Sequence, residues 1–498
     1  MNKKQWFRLL SLLLALTLFA AACGDDDADS DSADDGDDMA DGDDMADGDD
    51  MADGDDMADG DDMADGDDMA DGDDMADGDD MADGDDMADG DDMADGDDMA
   101  DGDDMADGDD MAEELATGPG FDGTTIKVGV ISDLSGPVAI IGVPLTAGGQ
   151  VYYDYINSQG GVAGQYMIET VEVDHQYNPA TAVQVYNEIK DDVVVLGQLF
   201  GTPITNAVLE SLKEDGLVAA PASLDAFWVR EQNLLPIGGP YQIQAINGLD
   251  WWVNEGGGNV DQVYCSFIQD DPYGEAGQEG IDFAAENLGF TITEIARYVS
   301  GDTDFSAQIQ QLQGAGCEVV FLITTPSVTG GALGTAAAGG YAPQWLGVSP
   351  TWINALAGSA LAPYLQAYFA VVAEGSTWGD EGVPGMATMI ERLEEFAPDQ
   401  APDYYFTFGY LQAHAIVQVL EAAVANSDLS RDGIIEALNS LGTVSFDGLS
   451  GDYFYGTPDE RVPATENTIF RVNPEVPNGV EAVATGYKAS FADDFVFE

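Results

Sequence analysis

Few residues in this chain have the types and spacing that catalysis needs. There are two histidines, His175 and His414, far apart in sequence, and three cysteines, Cys23, Cys265 and Cys317. No nucleophile elbow, no phosphate loop ending in Lys and no Cys/His spacing of the zinc-binding kind accompanies them. "GEAGQEG" has spaced glycines but opens a helical stretch without the dinucleotide-binding spacing. Carboxylates identify no acid–base pair either, because 51 of them crowd residues 113–498. His414 lies beside the apolar stripe of a long helical stretch, where a packed or capping histidine is expected. His175, in "VDHQYNP", ends a strand-like run and is the better candidate for lining a cleft. This inventory argues against an enzyme and implies no cofactor and no metal. It leaves recognition without bond chemistry.

The elements that would position a binding site begin at Thr124. "IKVGVI" is a short apolar run, followed by the turn-rich "SDLSGP" and the helical "LTAGGQVYYDYINSQ", closed by Gly160 and Gly161. Strand-like "MIETVEV" precedes "PATAVQVYNEIKDD", which has Val183, Tyr186 and Ile189 at helical spacing and Pro179 near its start. The alternation continues: "DVVVLGQLF" and "PITNAVLESLKEDG", "DQVYCSFI" and "GEAGQEGIDFAAENLG", "TITEIARY" and "DFSAQIQQLQGAG", "EVVFLIT" and "VTGGALGTAAAGG". Continuous apolar runs alternating with helices imply parallel sheets covered on both faces. A stretch of this length is too long for one such core and suggests two lobes. A long helix is expected from about Asp403 to Ala425, with Phe406, Tyr410, Ala413, Val417, Leu420 and Val424 facing the core.

The N-terminus is of another kind. Lys3, Lys4 and Arg8 precede a mostly apolar run from Leu9 to Ala22, then Cys23. That run is too short to span a bilayer and reads as an export signal over residues 1–22. A cysteine after small residues resembles a bacterial lipobox, which implies diacylation of Cys23 and anchoring to the outer face of the cytoplasmic membrane. From Asp35 to Ala112 the hexad "DGDDMA" repeats thirteen times. One Met per hexad cannot offset the entropy of ordering the backbone. Residues 23–120 are therefore expected to be a disordered, self-repelling spacer, with a reach of roughly 300 Å at full extension. No register of the hexad fits a calcium loop. Residues 113–498 alone carry a net charge of −41. Such acidity disfavours nucleic acid and anionic membrane surfaces as partners and suits a saline habitat, where self-repulsion is screened. Cys265 and Cys317 each border an apolar strand-like run. They can pair in an oxidising compartment, with buried free thiols as the simpler alternative.

The ordered set "LSGP", "IN..GGV.G", "D...NPATAV", "DDPYGEAG", "DFSAQIQQLQ" and "FGYLQAHAIVQVLEA" resembles periplasmic binding proteins of the leucine/isoleucine/valine-binding type, over about residues 124–498. These are solute receptors of ABC transporters. The resemblance implies an α/β fold of two Rossmann-like lobes with parallel sheets, joined by a three-segment hinge, with the ligand between them. The crossings are expected near Pro240, Ala373 and Gly451. Residues 121–240 and 373–451 then form one lobe, and 241–372 and 452–498 the other. The expected partners are a small solute, most plausibly a branched-chain-like amino acid, and an ABC permease in the membrane. A sensory module on the same fold and an acidic structural surface protein are the alternatives.

In such sheets ligands bind beyond the carboxyl ends of strands. The segments there are "SDLSGP", "FGTPIT", "ASLDAF", "DDPYGE", "TTPSVT" and "SPTWIN", rich in hydroxyls, aromatics and glycine as a small-molecule pocket requires. Carried over residue by residue, the resemblance places a ligand carboxylate at Gly201, Thr202, Ala222 and Ser223, with Ser135 nearby. Tyr273 would cover the ligand and Thr325 would face it. Where amino-acid binders place an acid that pairs with the ammonium, this chain has Ser349, with Trp352 close by as a stacking surface. Asp225 or Asp271 is then expected to take over that pairing, unless the solute is an amide, urea-like or aromatic molecule without an ammonium.

Overall fold

The computed structural model describes residues 115–476 and 478–497. The expected export signal, Cys23 and the hexad repeats lie outside the described residues. Two open sheets organise the rest. In the first, four strands run in the order Met167–Asp174, Thr125–Ser132, Val195–Phe200, Ala219–Ala222, all parallel. In the second, Ile292–Tyr298, Tyr264–Gln269, Val319–Ile323, Gln344–Val348 and Phe369–Ala373 are parallel. Asn467–Val472 and Val480–Tyr487 continue that edge antiparallel. The central strands are buried along their whole length, which is why they read as unbroken apolar runs.

Both sheets reverse their winding between the first and third strand of the βαβ series. Loops on the two sides of that point diverge and leave a crevice at the carboxyl ends. Segments entering the crevice therefore follow Thr125–Ser132 and Val195–Phe200 in one lobe, and Tyr264–Gln269 and Val319–Ile323 in the other.

The long helix runs from Tyr404 to Ala425, and Asp403 caps it by accepting from the Phe406 amide at 2.9 Å. It is buried nearly all round, broader than the stripe expected from sequence, because it fills the space between the first sheet and the helix Ala139–Ser158. Glycines allow that approach: a methyl on Gly148 or Gly409 would run into the Phe406 or Leu145 carbonyl.

Three details depart from the sequence reading. Residues 115–120, assigned above to the spacer, belong to the folded body: Ala116–Thr117 pairs in parallel with Asp428–Leu429, and the Lys127 amide donates to the Gly120 carbonyl. Residues 452–463, assigned to the second lobe, hold to the first. The Tyr455 hydroxyl donates to the Pro236 carbonyl, and buried Arg461 donates to the Glu231 and Leu234 carbonyls. The third crossing therefore lies just before Asn467 rather than near Gly451. Finally, Cys265 and Cys317 are disulfide-bonded, since the strands they border are hydrogen-bonded neighbours.

Candidate functional site

A cleft cavity lies between the two sets of strand ends. Its first wall is built at the start of the helix Thr202–Asp215. Gly201 precedes that helix at φ 105°, and a side chain there would meet the Tyr177 ring at 2.8 Å, so the position demands glycine. Because residue 203 is proline, the amides free at this turn are few and fixed. The Thr202 hydroxyl shares a 2.6 Å hydrogen bond with the Ser223 hydroxyl, which is 3.3 Å from the Tyr241 hydroxyl. Ala222 ends the adjacent strand and also lines the cavity. This hydroxyl and amide cluster at a helix start suits a carboxylate.

The opposite wall carries Tyr273 and Thr325, each just past a strand end. The Tyr273 ring meets Tyr241 edge-on at 5.0 Å, and its hydroxyl donates to the Thr324 carbonyl. Ser349 lines the cavity too, its amide donating to Gln244 Oε1 at 2.9 Å. The remaining lining is mostly apolar or aromatic: Val138, Ile141 and Leu145 from the helix Ala139–Ser158 and the residue before it, with Phe200, Leu224 and Phe408. Burial pushes the phenols of Tyr177, Tyr273, Tyr404 and Tyr405 well above their usual range, so all four stay neutral donors.

Glu374 is the residue that the sequence did not single out. It follows the strand Phe369–Ala373 directly, lines the cavity, and is only 5% exposed. Gln244 Nε2 donates to its carboxylate at 3.2 Å, and the Ser450 hydroxyl donates to its carbonyl. Gly238, from another crossing, packs against its side chain. Burial drives its pKa up, and none of the ion pairs among the described residues includes it. A buried carboxylate without a cation is held protonated or completed by a cationic group that enters the cleft.

Other expected site residues stand elsewhere. Ser135 is exposed, and its hydroxyl donates to Asp174, which closes the loop after the first strand. Trp352 is buried outside the cavity, its indole stacked near Phe369 at 6.2 Å. The one-turn helix Ser349–Thr351 carries the chain away from the cleft before the tryptophan is reached. Asp225 and Asp271 are helix caps: Asp225 accepts from the Phe227 amide and from Gln242, and Asp271 from the Tyr273 and Gly274 amides. Both lie at an outer, acidic mouth with Asp270, Glu275 and Glu279. His175 is fully buried one layer behind the cleft, near the Tyr177 and Phe200 rings, with Nδ1 accepting from the Tyr177 amide. His414 is packed as expected, between the Tyr152 hydroxyl and the Ser445 carbonyl.

Comparison with known proteins places this architecture. The family model "Periplasmic binding protein" matches residues 125–478. A Leu/Ile/Val-binding protein homolog 3 from Brucella melitensis is 28% identical over 202 residues, 39% of this chain and 53% of that protein. A leucine-, isoleucine-, valine-, threonine- and alanine-binding protein from Pseudomonas aeruginosa is 26% identical over 247 residues, 47% of this chain and 64% of that protein. The match thus spans between half and two thirds of those relatives' own length. Among solved structures, a fatty acid ABC transporter substrate-binding protein from Thermomonospora curvata superposes with a TM-score of 0.72 at 25% identity, over 76% of this chain and 97% of that one. With the two-lobed α/β fold and the cleft at the strand ends, the chain belongs to the periplasmic binding protein family, as a type 1 member.

Proposed function

We propose that this protein is the extracytoplasmic solute receptor of an ABC importer, closing its lobes around an aliphatic amino acid. The observation that carries this reading is the pairing of opposites in one apolar cavity. Amides and hydroxyls of Gly201, Thr202 and Ser223 suit a carboxylate, and cation-free Glu374 suits an ammonium. The apolar surface of Val138, Ile141, Leu145 and Phe408 suits a hydrocarbon side chain. Glu374 supplies the acid whose place Ser349 takes in the sequence. It sits where the chain crosses between lobes, so pairing with a ligand also favours closure. The disulfide fits an oxidising compartment outside the cytoplasm. After export, a lipid on Cys23 keeps the receptor local to the membrane, and the acidic spacer leaves it free to dock on its permease. Release of a Cys23→Ser variant into solution tests the anchor.

One observation favours a second reading. The similar Thermomonospora curvata structure is a fatty acid ABC transporter substrate-binding protein, and an apolar cleft with a neutral Glu374 suits a carboxylic acid lacking an ammonium. A thermal-shift screen of the full chain against aliphatic amino acids, their des-amino acids and medium-chain fatty acids separates the two. A ligand at 100 times its Kd adds about 2.7 kcal/mol. Stabilisation by amino acids alone supports the first reading, and stabilisation by acids alone supports the second.

A further inference from the structure

Behind the cleft lies a second, smaller chamber. Ser349 and Tyr404 line both spaces and form the partition between them. Trp352, Val371, Trp378, Phe470 and Val480 give the chamber an apolar body. The Trp352 indole nitrogen at its wall is buried without a hydrogen-bond partner among the described residues, whereas the Tyr404 hydroxyl faces the Glu374 and Ser349 side chains. An indole N–H can only donate, so the chamber offers an unmatched donor and calls for an acceptor. A buried donor left unmatched costs about 1–3 kcal/mol, which makes an oxygen placed there favourable.

We propose that this chamber receives the far end of the ligand's side chain, so the preferred solute is a long amino acid whose side chain ends in an acceptor oxygen such as an amide carbonyl. The inference rests on the reading of the cleft as an amino-acid site. The carboxylate and ammonium stay at Thr202, Ser223 and Glu374, and a hydrocarbon stem passes the partition. The terminal oxygen then accepts from Trp352 Nε1.

The test is calorimetry of the full chain with norleucine and with Nε-acetyl-lysine, which share a backbone and a linear stem and differ in the terminal amide. The account expects Nε-acetyl-lysine to bind at least tenfold tighter. Trp352→Phe, which keeps an aromatic ring but no donor, should bring the two affinities within twofold. If norleucine binds and Nε-acetyl-lysine binds no better, the chamber is no part of the site and its donor is met by water, while the cleft reading stands. If the preference survives in Trp352→Phe, the donor is wrongly assigned. If neither amino acid binds, the cleft reading falls and this inference falls with it.

Discussion

Replacing Glu374 with Gln should move binding and stability in opposite directions. Glu374 is 5% exposed, its carboxyl has only neutral partners, Gln244 at 3.2 Å with the Tyr404 and Ser349 side chains, and no base lies beside it. In the unliganded protein it is therefore a burden: burial raises its pKa, and a neutral amide of the same shape removes the cost of a charge there. Glu374→Gln should leave the unliganded protein as stable as the parent or more so at pH 7. An ammonium bound against Glu374 loses its counter-charge in the variant. Truncating one member of a buried ion pair costs about 3–5 kcal/mol, and each 1.4 kcal/mol is tenfold in Kd. Leucine affinity should fall by at least about 100-fold, while a des-amino acid should bind the variant no worse than the parent. Calorimetry gives the affinities and urea unfolding the stability. Unchanged leucine affinity in Glu374→Gln would refute the assignment of this acid as the ammonium's partner.

Three other outcomes follow from the same geometry. Thr202→Val keeps the shape of the helix start but removes a donor to a charged group, worth about 1.5–3 kcal/mol. Leucine Kd should therefore rise roughly 10- to 100-fold by calorimetry, and an unchanged Kd would move the carboxylate elsewhere. Reduction of the bond between Cys265 and Cys317, which closes a separation of 52 residues, should lower unfolding free energy by up to about 4 kcal/mol by the loop-entropy account. Equal urea midpoints with and without reductant would contradict that. Burial pushes His175 down to about 4. Its folded value lies below the unfolded one, so the stability it contributes is complete above about pH 6.5 and is lost as pH falls toward 4. An NMR titration, simple with two histidines in the chain, should show it neutral at pH 6, and a midpoint near 6.5 would refute its burial.

The doubly wound lobes were legible because buried parallel strands such as Val195–Phe200 are apolar at every residue, while the intervening helices keep a helical period. The positions of Gly201, Thr202, Ser223, Tyr273, Thr325 and Ser349 around one cavity were legible for a related reason: each lies within four residues of a strand's carboxyl end, and strand ends converge in this topology. Glu374 obeys the same rule but is one acid among 51 in residues 113–498, and nothing local marks it as one buried at the cleft. Only the three crossings, which bring Gly238, Gln244 and Ser450 around it, give it that character. Trp352 lies behind the cleft because the turn at Ser349–Thr351 sets its direction, and composition does not encode that turn. Ser135 went astray because Asp174, distant in sequence, claims its hydroxyl. The disulfide depends on Tyr264–Gln269 lying beside Val319–Ile323, a matter of strand order.

The most direct measurement is a calorimetric titration of the full chain with leucine and with 4-methylpentanoate, which has the same carboxylate and hydrocarbon body but no ammonium. The account predicts micromolar leucine binding and at least about 100-fold weaker binding of the des-amino acid, the cost of leaving Glu374 without its cation. Equal or tighter binding of 4-methylpentanoate would contradict it and make the cleft a site for apolar acids.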